Sequence, residues 1–154
     1  VKRLVLIAAS GIEVTRPRGL RHVIDTPGLG DWLFALGAPR ILRRSMAGAP
    51  ALARLCRGEL RRRGFLPAVL SSLRHMGLQR QEKEHRAIAA ANIPVVAIWG
   101  DADPTVPRRA PGTLVSWNRA AKQEMVAGGG HYLPVTHADE VAVLLRDILR
   151  EDWQ

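Results

Sequence analysis

Three residues in this chain have the types and spacing to do chemistry together. Asp101 and Asp103 follow an apolar, β-branched run, Ile93 to Trp99, that ends abruptly at Gly100. His131 follows the triplet Gly128-Gly129-Gly130, 28 residues after Asp103. An acid just past one strand and a histidine just past the next are laid out as the acid and base of a hydrolytic triad. The carboxylate would hold the imidazole in one tautomer and stabilise the imidazolium. The imidazole would work as a general base near neutral pH. Asp103 alone would be read as a turn aspartate. Asp101 competes with it and has an ordinary role in hydrogen bonding the turn backbone. His131, on a loop where glycines let the backbone approach closely, shifts the balance toward Asp103 as acid and His131 as base. Val106 and Tyr132 flank these two residues and are candidate walls of a substrate pocket. Trp32 and Phe34 are further apolar candidates. For most of the apolar residues near them, packing among neighbouring helices is the simpler role.

The other chemistry-bearing residues say less. Cys56 is a single cysteine, so it forms no internal disulfide, and it is read as packed filler. A reducing compartment is mildly favoured, with a cytoplasmic location as the expectation. His22, His75 and His85 look incidental, and His137 reads as surface. The histidines lack H-x-x-x-H spacing, so no metal and no cofactor is expected.

The elements that must position Asp103 and His131 are legible in outline. Residues 3–9 are a continuous apolar run that suits a strand buried on both faces. Residues 15–86 are broken by Pro17, Gly19, Pro27, Gly28, Gly30, Gly37, Pro39, Gly48, Pro50, Gly58, Gly64 and Pro67. Apolar residues recur there at spacings of three and four, which predicts short amphipathic helices with breaks between them. Residues 82–91 read as a helix and 93–99 as the second strand. Residues 108–118 read as a helix interrupted at Pro111-Gly112, and 121–127 as an edge-like strand. A last helix is expected with Thr136 as N-cap, Asp139 and Glu140 in its first turn, and a stripe of Val141, Leu144, Leu145, Ile148 and Leu149.

This order predicts an α/β fold, a partial and mostly parallel sheet flanked by helices, with an inserted helical cap. The expected divisions are 1–14 (first strand), 15–86 (cap) and 87–154 (remaining core). In such sheets the chemistry collects beyond the carboxyl ends of the strands.

Charge is uneven. Residues 15–86 hold 15 Lys and Arg against 5 Asp and Glu, while the remainder holds 8 against 9. Such a surplus could attract nucleic acid or an anionic membrane. Twenty of the basic residues are Arg, spread among Ala, Gly and Pro without interleaved aromatics. A solvated helix face is the better reading, and no nucleic-acid partner is expected. No apolar run approaches the roughly 18 residues a membrane span needs.

The stretches Pro94 to Pro107, Gly129-Gly130-His131 and the helix after Pro134 resemble the C-terminal part of the α/β-hydrolase fold family. Residues 1–9 and 64–74 are similar to it more loosely. The resemblance implies that Asp103 is the triad acid and His131 the base. It also implies hydrolysis of ester or related bonds in a small apolar molecule. The family's G-x-S-x-G elbow occurs nowhere in the chain. Ser10, in Ala8-Ala9-Ser10-Gly11, lacks the glycine two residues before it. The family's chain order places the nucleophile upstream of Val1, and this chain alone is expected to be inactive.

Two other readings are open. One is a noncatalytic remnant or interaction module on a hydrolase-like fold. The other, more distant, is a GTPase fragment, in which Asp25-Thr26-Pro27-Gly28 would be a D-x-x-G switch segment. Against it, Arg21 and His22 interrupt the strand that should precede Asp25, and no N-K-x-D motif follows. Asp25 to Gly28 is then a turn opening the first helix of the insertion.

Overall fold

The computed structural model describes residues 1–13, 18–75 and 80–150; the side chains of 18–20 lie outside that description. By backbone contacts the chain forms two compact units. One comprises Val1–Thr15 with Arg80–Gln154, and the other comprises Arg16–Gln79. The first takes in residues 80–86, which the sequence reading grouped with the helical insertion.

The first unit is built on a three-stranded parallel sheet in the order β1-β2-β3. The strands are β1 (Leu4–Ile7), β2 (Val95–Gly100) and β3 (Lys122–Val126). The helices of this unit are α5 (Glu82–Ala90), α6 (Ala110–Trp117), α7 (Leu133–Thr136) and α8 (Ala138–Arg150). Strand β2 lies between the other two, with Ile98 opposite Ile7 on one side and Glu124 on the other. Its residues Val95 to Trp99 are at most 2% exposed, as expected of a strand covered on both faces. Alternate residues point to opposite faces. Val95, Ala97 and Trp99 pack with Ala110, Leu114 and Trp117 of α6 and with Ile12. Val96 and Ile98 pack with Val126, Leu133, and Val141 and Ile148 of α8. Each fully buried Val, Leu or Ile among them stabilises the fold by about 1.5–3 kcal/mol before entropy is counted. Strand β3 is mostly exposed because its sequence is polar, Lys122-Gln123-Glu124.

The second unit holds α1 (Arg18–Asp25), α2 (Leu29–Ser45), α3 (Pro50–Glu59) and α4 (Phe65–His75). Its core is Ile24, Phe34, Ala38 and Leu70, with Val23, Leu42, Leu66, Val69 and Leu73 packed around them. Arg74 ties α4 to the turn between α1 and α2. Its Nε donates to the Ile24 carbonyl at 2.7 Å and its Nη1 to Asp31 Oδ1 at 2.8 Å. Among the described residues, no helix is long and apolar enough to cross a membrane.

Several local expectations are corrected. Strand β1 ends at Ile7 because Ala8 turns into the left-handed region, with φ 45, while its N–H still bonds the Ile98 carbonyl. Helix α2 runs 17 residues straight through Gly37 and Pro39, so these do not break it. Packing of Phe34 and Ala38 outweighs the hydrogen bond that Pro39 cannot make. Pro111 does not interrupt α6, because it sits in the first turn, where its missing N–H has no intrahelical partner to lose. Thr136 does not cap α8. It ends α7, and its hydroxyl turns back to the Tyr132 carbonyl. Leu149 is 70% exposed, outside the buried stripe of α8. Val23 and Ile24 close helix α1, so no strand leads into Asp25 as a GTPase switch would need, and the turn at Asp25 follows a helix. Pro17, one of the expected breaks, lies outside the described residues.

Candidate active site

The site lies at the carboxyl end of β2, where the sheet stops and two loops meet. Strand β2 delivers Gly100, and the chain turns tightly there, with the Asp103 N–H bonded to the Gly100 carbonyl at 3.3 Å. Asp103 then uses both of its oxygens. Oδ1 accepts the backbone N–H groups of Thr105 at 2.7 Å and Val106 at 3.1 Å. Oδ2 faces His131 Nδ1 at 3.0 Å. The turn-aspartate role and the histidine-partner role are therefore held by one residue. Its side chain is 2% exposed, whereas that of His131 is 31% exposed. A carboxylate removed from water and hydrogen-bonded by two amides is held in one orientation. The imidazole it faces keeps an edge toward solvent.

The histidine loop is set by what surrounds β3. Gly129 N–H bonds the Val126 carbonyl at 3.2 Å, which folds the chain back immediately after the strand. The two loops then lie backbone to backbone. A Cβ on Gly100 would stand 2.1 Å from the Gly129 carbonyl oxygen, a distance no side chain tolerates. Gly100 is thus the residue that lets the acid-bearing loop touch the histidine-bearing loop. The Ala102 N–H bonds the same Gly129 carbonyl at 3.0 Å, and the Asp101 N–H bonds Val126 O at 3.3 Å.

With Nδ1 donating to Asp103, neutral His131 carries its proton on Nδ1 and leaves Nε2 with a lone pair. That is the form a general base needs. The Tyr132 ring lies edge-on to the imidazole, with centroids 5.7 Å apart and planes at 69°. Val106 is buried in the sheet core, and its N–H orients the acid. Beside Asp103 is a cavity of about 320 Å³ lined by Trp99, Asp101, Val106, Arg108, Pro111 and Met125 among others. Its back wall is braced by Gln123, which accepts from Trp99 Nε1 at 2.7 Å and donates to the Pro111 carbonyl at 2.9 Å.

The structure thus brings Asp103, His131, Val106 and Tyr132 together. Trp32 and Phe34 belong to the helical unit. Trp32 is exposed, and Phe34 is a core residue there. His85 is the residue whose place the sequence reading misjudged most. It is buried in the sheet unit and stacked on Trp117 at 5.8 Å. Burial holds its pKa below the ordinary imidazole value, with Glu84 opposing. Its immediate neighbours, Lys83, Glu84 and Arg86, are charged, and they mask a position three residues before the core-packed Ile88. Asp101 is a second residue the sequence reading undervalued. Its Oδ1 accepts the Gly128 N–H at 2.7 Å, from across the site. Among the described residues, no three His, Cys, Asp or Glu side chains gather as a metal site would require.

No family model and no curated protein matches the sequence. Solved structures do. Cfl2 from Burkholderia cenocepacia superposes with a TM-score of 0.69 at 24% identity, over 97% of this chain and 57% of that one. The enol-lactonase from Burkholderia xenovorans gives 0.69 at 15% identity, over 98% and 57%. MGS-M2, an alpha/beta hydrolase enzyme from a Medee basin deep-sea metagenome library, gives 0.73 at 13% identity, over 99% and 57%. The chain spans a little over half the length of each. At these identities the likeness is one of fold. A parallel sheet flanked by helices, matched over nearly its whole length, gives this chain the fold of part of an α/β-hydrolase.

Proposed function

We propose that this chain is the acid-and-base part of an α/β-hydrolase-type hydrolase, with Asp103 as the triad acid and His131 as the general base. The observation that carries the reading is the 3.0 Å contact between His131 Nδ1 and the buried Asp103 carboxylate, just past the carboxyl end of β2. In this reading a serine outside the 154 residues attacks an ester or related bond. His131 Nε2 takes the serine proton and later returns it to the leaving group, while Asp103 stabilises the imidazolium. Val106, which lines the cavity beside Asp103, and Tyr132, edge-on to His131 but outside that cavity's lining, are the substrate contacts of this reading. Trp32, exposed on the helical unit, and Phe34, in that unit's core, are the remaining candidates for substrate binding. The substrate is a small, largely apolar molecule. The arginines of the helical unit are a solvated face rather than a nucleic-acid site.

The test begins with the coding sequence 5′ to the codon for Val1. A strand–turn–helix stretch bearing G-x-S-x-G in the same frame supports the reading. The encoded polypeptide is then assayed on a series of p-nitrophenyl esters. His131→Ala is expected to lower kcat by roughly 10⁶-fold, and Asp103→Asn by roughly 10⁴-fold. Turnover unchanged by both substitutions sinks the assignment. One observation favours a second reading: the 154 residues contain no G-x-S-x-G. If no nucleophile is encoded with them, the fold serves as a noncatalytic module, and Asp103 and His131 hold only structure.

A further inference from the structure

We infer that Asp101 is a positioning residue for His131, acting as a clasp between the two loops of the site. The inference deepens the acid–base reading above and rests on it, but its geometry is independent of any substrate. His131 sits at the far end of a loop with three consecutive glycines, which by itself would sample many conformations. Holding an imidazole within hydrogen-bond distance of a buried carboxylate requires that loop to be fixed. The Asp101 carboxylate does this from the opposite loop. Its Oδ1 accepts the Gly128 N–H at 2.7 Å. Gly128 is the residue at which the loop takes its left-handed turn, with φ 68. The bond therefore holds the chain at the hinge from which Gly129, Gly130 and His131 depart.

The clasp has a second strand of contacts beside it. Asp101 also donates its own N–H to Val126 O, and Ala102 donates to Gly129 O. The link to Gly128 is made by the Asp101 side chain, so unlike the backbone bonds beside it substitution can remove it. The adjacent acids thus divide the work. Asp103 turns inward to the imidazole and its own turn. Asp101 turns outward, along the surface, to the loop that carries the imidazole.

The test reads the imidazole directly. The ¹⁵N-labelled chain is examined by long-range ¹H–¹⁵N NMR in mildly alkaline buffer, where neutral histidine reports its tautomer, with His131 assigned by loss of its signals in His131→Gln. The wild-type chain is expected to show His131 mainly as the Nδ1–H form. An unpaired, averaged imidazole in the wild type would refute the Asp103–His131 pairing itself, and with it the clasp. Given the paired form, Asp101→Ala is expected to lower the ratio of Nδ1–H to Nε2–H tautomer about three- to tenfold, the size of one lost hydrogen bond. Asp101→Asn keeps an acceptor oxygen without the charge and is expected to restore the wild-type ratio. Gly128→Ala, which strains the same hinge from the other side, is expected to shift the ratio in the same direction as Asp101→Ala. An unchanged ratio in Asp101→Ala overturns the inference. Failure of Asp101→Asn to restore it also overturns the clasp, because the effect would then be one of charge.

Discussion

The sheet unit and the helical unit are made from much the same aliphatic residues, and they bury them to very different extents. In the sheet unit, β2 has neighbours on both edges and helices on both faces, so five consecutive residues from Val95 to Trp99 are out of contact with water. In the helical unit each helix can bury one stripe. On α2, Gly30, Phe34 and Ala38 turn inward, while Leu29, Trp32, Leu33 and Leu36 are exposed. What the helical unit lacks in buried apolar area it partly replaces with polar ties, of which Arg74 is the most developed. A chemical site that depends on tenths of an ångström is better placed on the first kind of scaffold, and the Asp103–His131 pair is found there. The helical unit is expected to open at lower free energy, as elements with few buried contacts do.

The largest expected effect comes from the centre of the sheet. Ile98 is fully buried, and Ile98→Ala is expected to cost about 2–5 kcal/mol. The loss should register as a lower denaturation midpoint followed by the fluorescence of buried Trp99 and Trp117. Phe34→Ala removes a comparable or larger volume, about 3–5 kcal/mol in a rigid core. In a unit that can collapse around the gap, the measured loss is expected at or below the lower end of that range. Amide hydrogen exchange should show it confined to α1, α2 and α4. Exchange that quickens equally in β2 would mean the two units open as one, and the contrast between them would fail.

A smaller effect is expected at Arg74. Arg74→Met keeps much of the stem but leaves the Ile24 carbonyl without this donor and Asp31 with only its bond from the Gly28 N–H. Asp31 is about half exposed, so its ion pair contributes little. The carbonyl matters more. The expected loss is about 1–2 kcal/mol, read as faster exchange at the junction of α1 and α2. A neutral or stabilising result would point to the buried Arg74 Nη2, which has no hydrogen-bond partner among the described residues, as a cost that the substitution relieves.

The two regions also differed in how far the sequence disclosed them. The sheet unit is specified locally. A β-branched run that stops at Gly100, and a glycine run that ends at His131, mark the strand ends and the residues beyond them without knowledge of what packs on either side. The pairing of Asp103 with His131 could be read because each lies a few residues past a recognisable element. In the helical unit the punctuation misled. Gly37 and Pro39 look like breaks, yet α2 passes through them because Phe34 and Ala38 are held by residues distant in sequence. Arg74 was invisible for the same reason, since its partner carbonyl is 50 residues away. Tertiary packing defeated local rules in the sheet unit too, at Thr136, Leu149 and His85. What the sequence could not disclose about Trp32 and Phe34 was which face of α2 each would occupy.

The smallest effect is one of pH, and it reverses the order of the two units. His85, Glu13 and Asp31 each have a pKa below the ordinary value for their kind. For His85 the first cause is burial, which disfavours the charged ring. For Glu13 it is the hydrogen bond from Thr113, with Arg109 and Arg80 adding to it. For Asp31 it is the hydrogen bond from Arg74, then that from Gly28. A group whose folded pKa is depressed contributes stability above its unfolded value, and that stability is lost as pH falls through the folded value. His85 titrates near 6.5 when unfolded, Glu13 near 4.5 and Asp31 near 3.8. Acidification from neutral pH should therefore weaken the sheet unit first, through proton uptake by unfolded His85, and again through Glu13. The helical unit should respond to Asp31 only at lower pH. Hydrogen exchange measured as a function of pH, corrected for intrinsic rates, separates the two. His85→Leu is expected to remove the sheet unit's loss just below 6.5 and leave its loss in the carboxylate range intact. If that first loss survives the substitution, another group drives it, and the stacking of His85 on Trp117 is not what makes the more deeply buried unit the more acid-sensitive one.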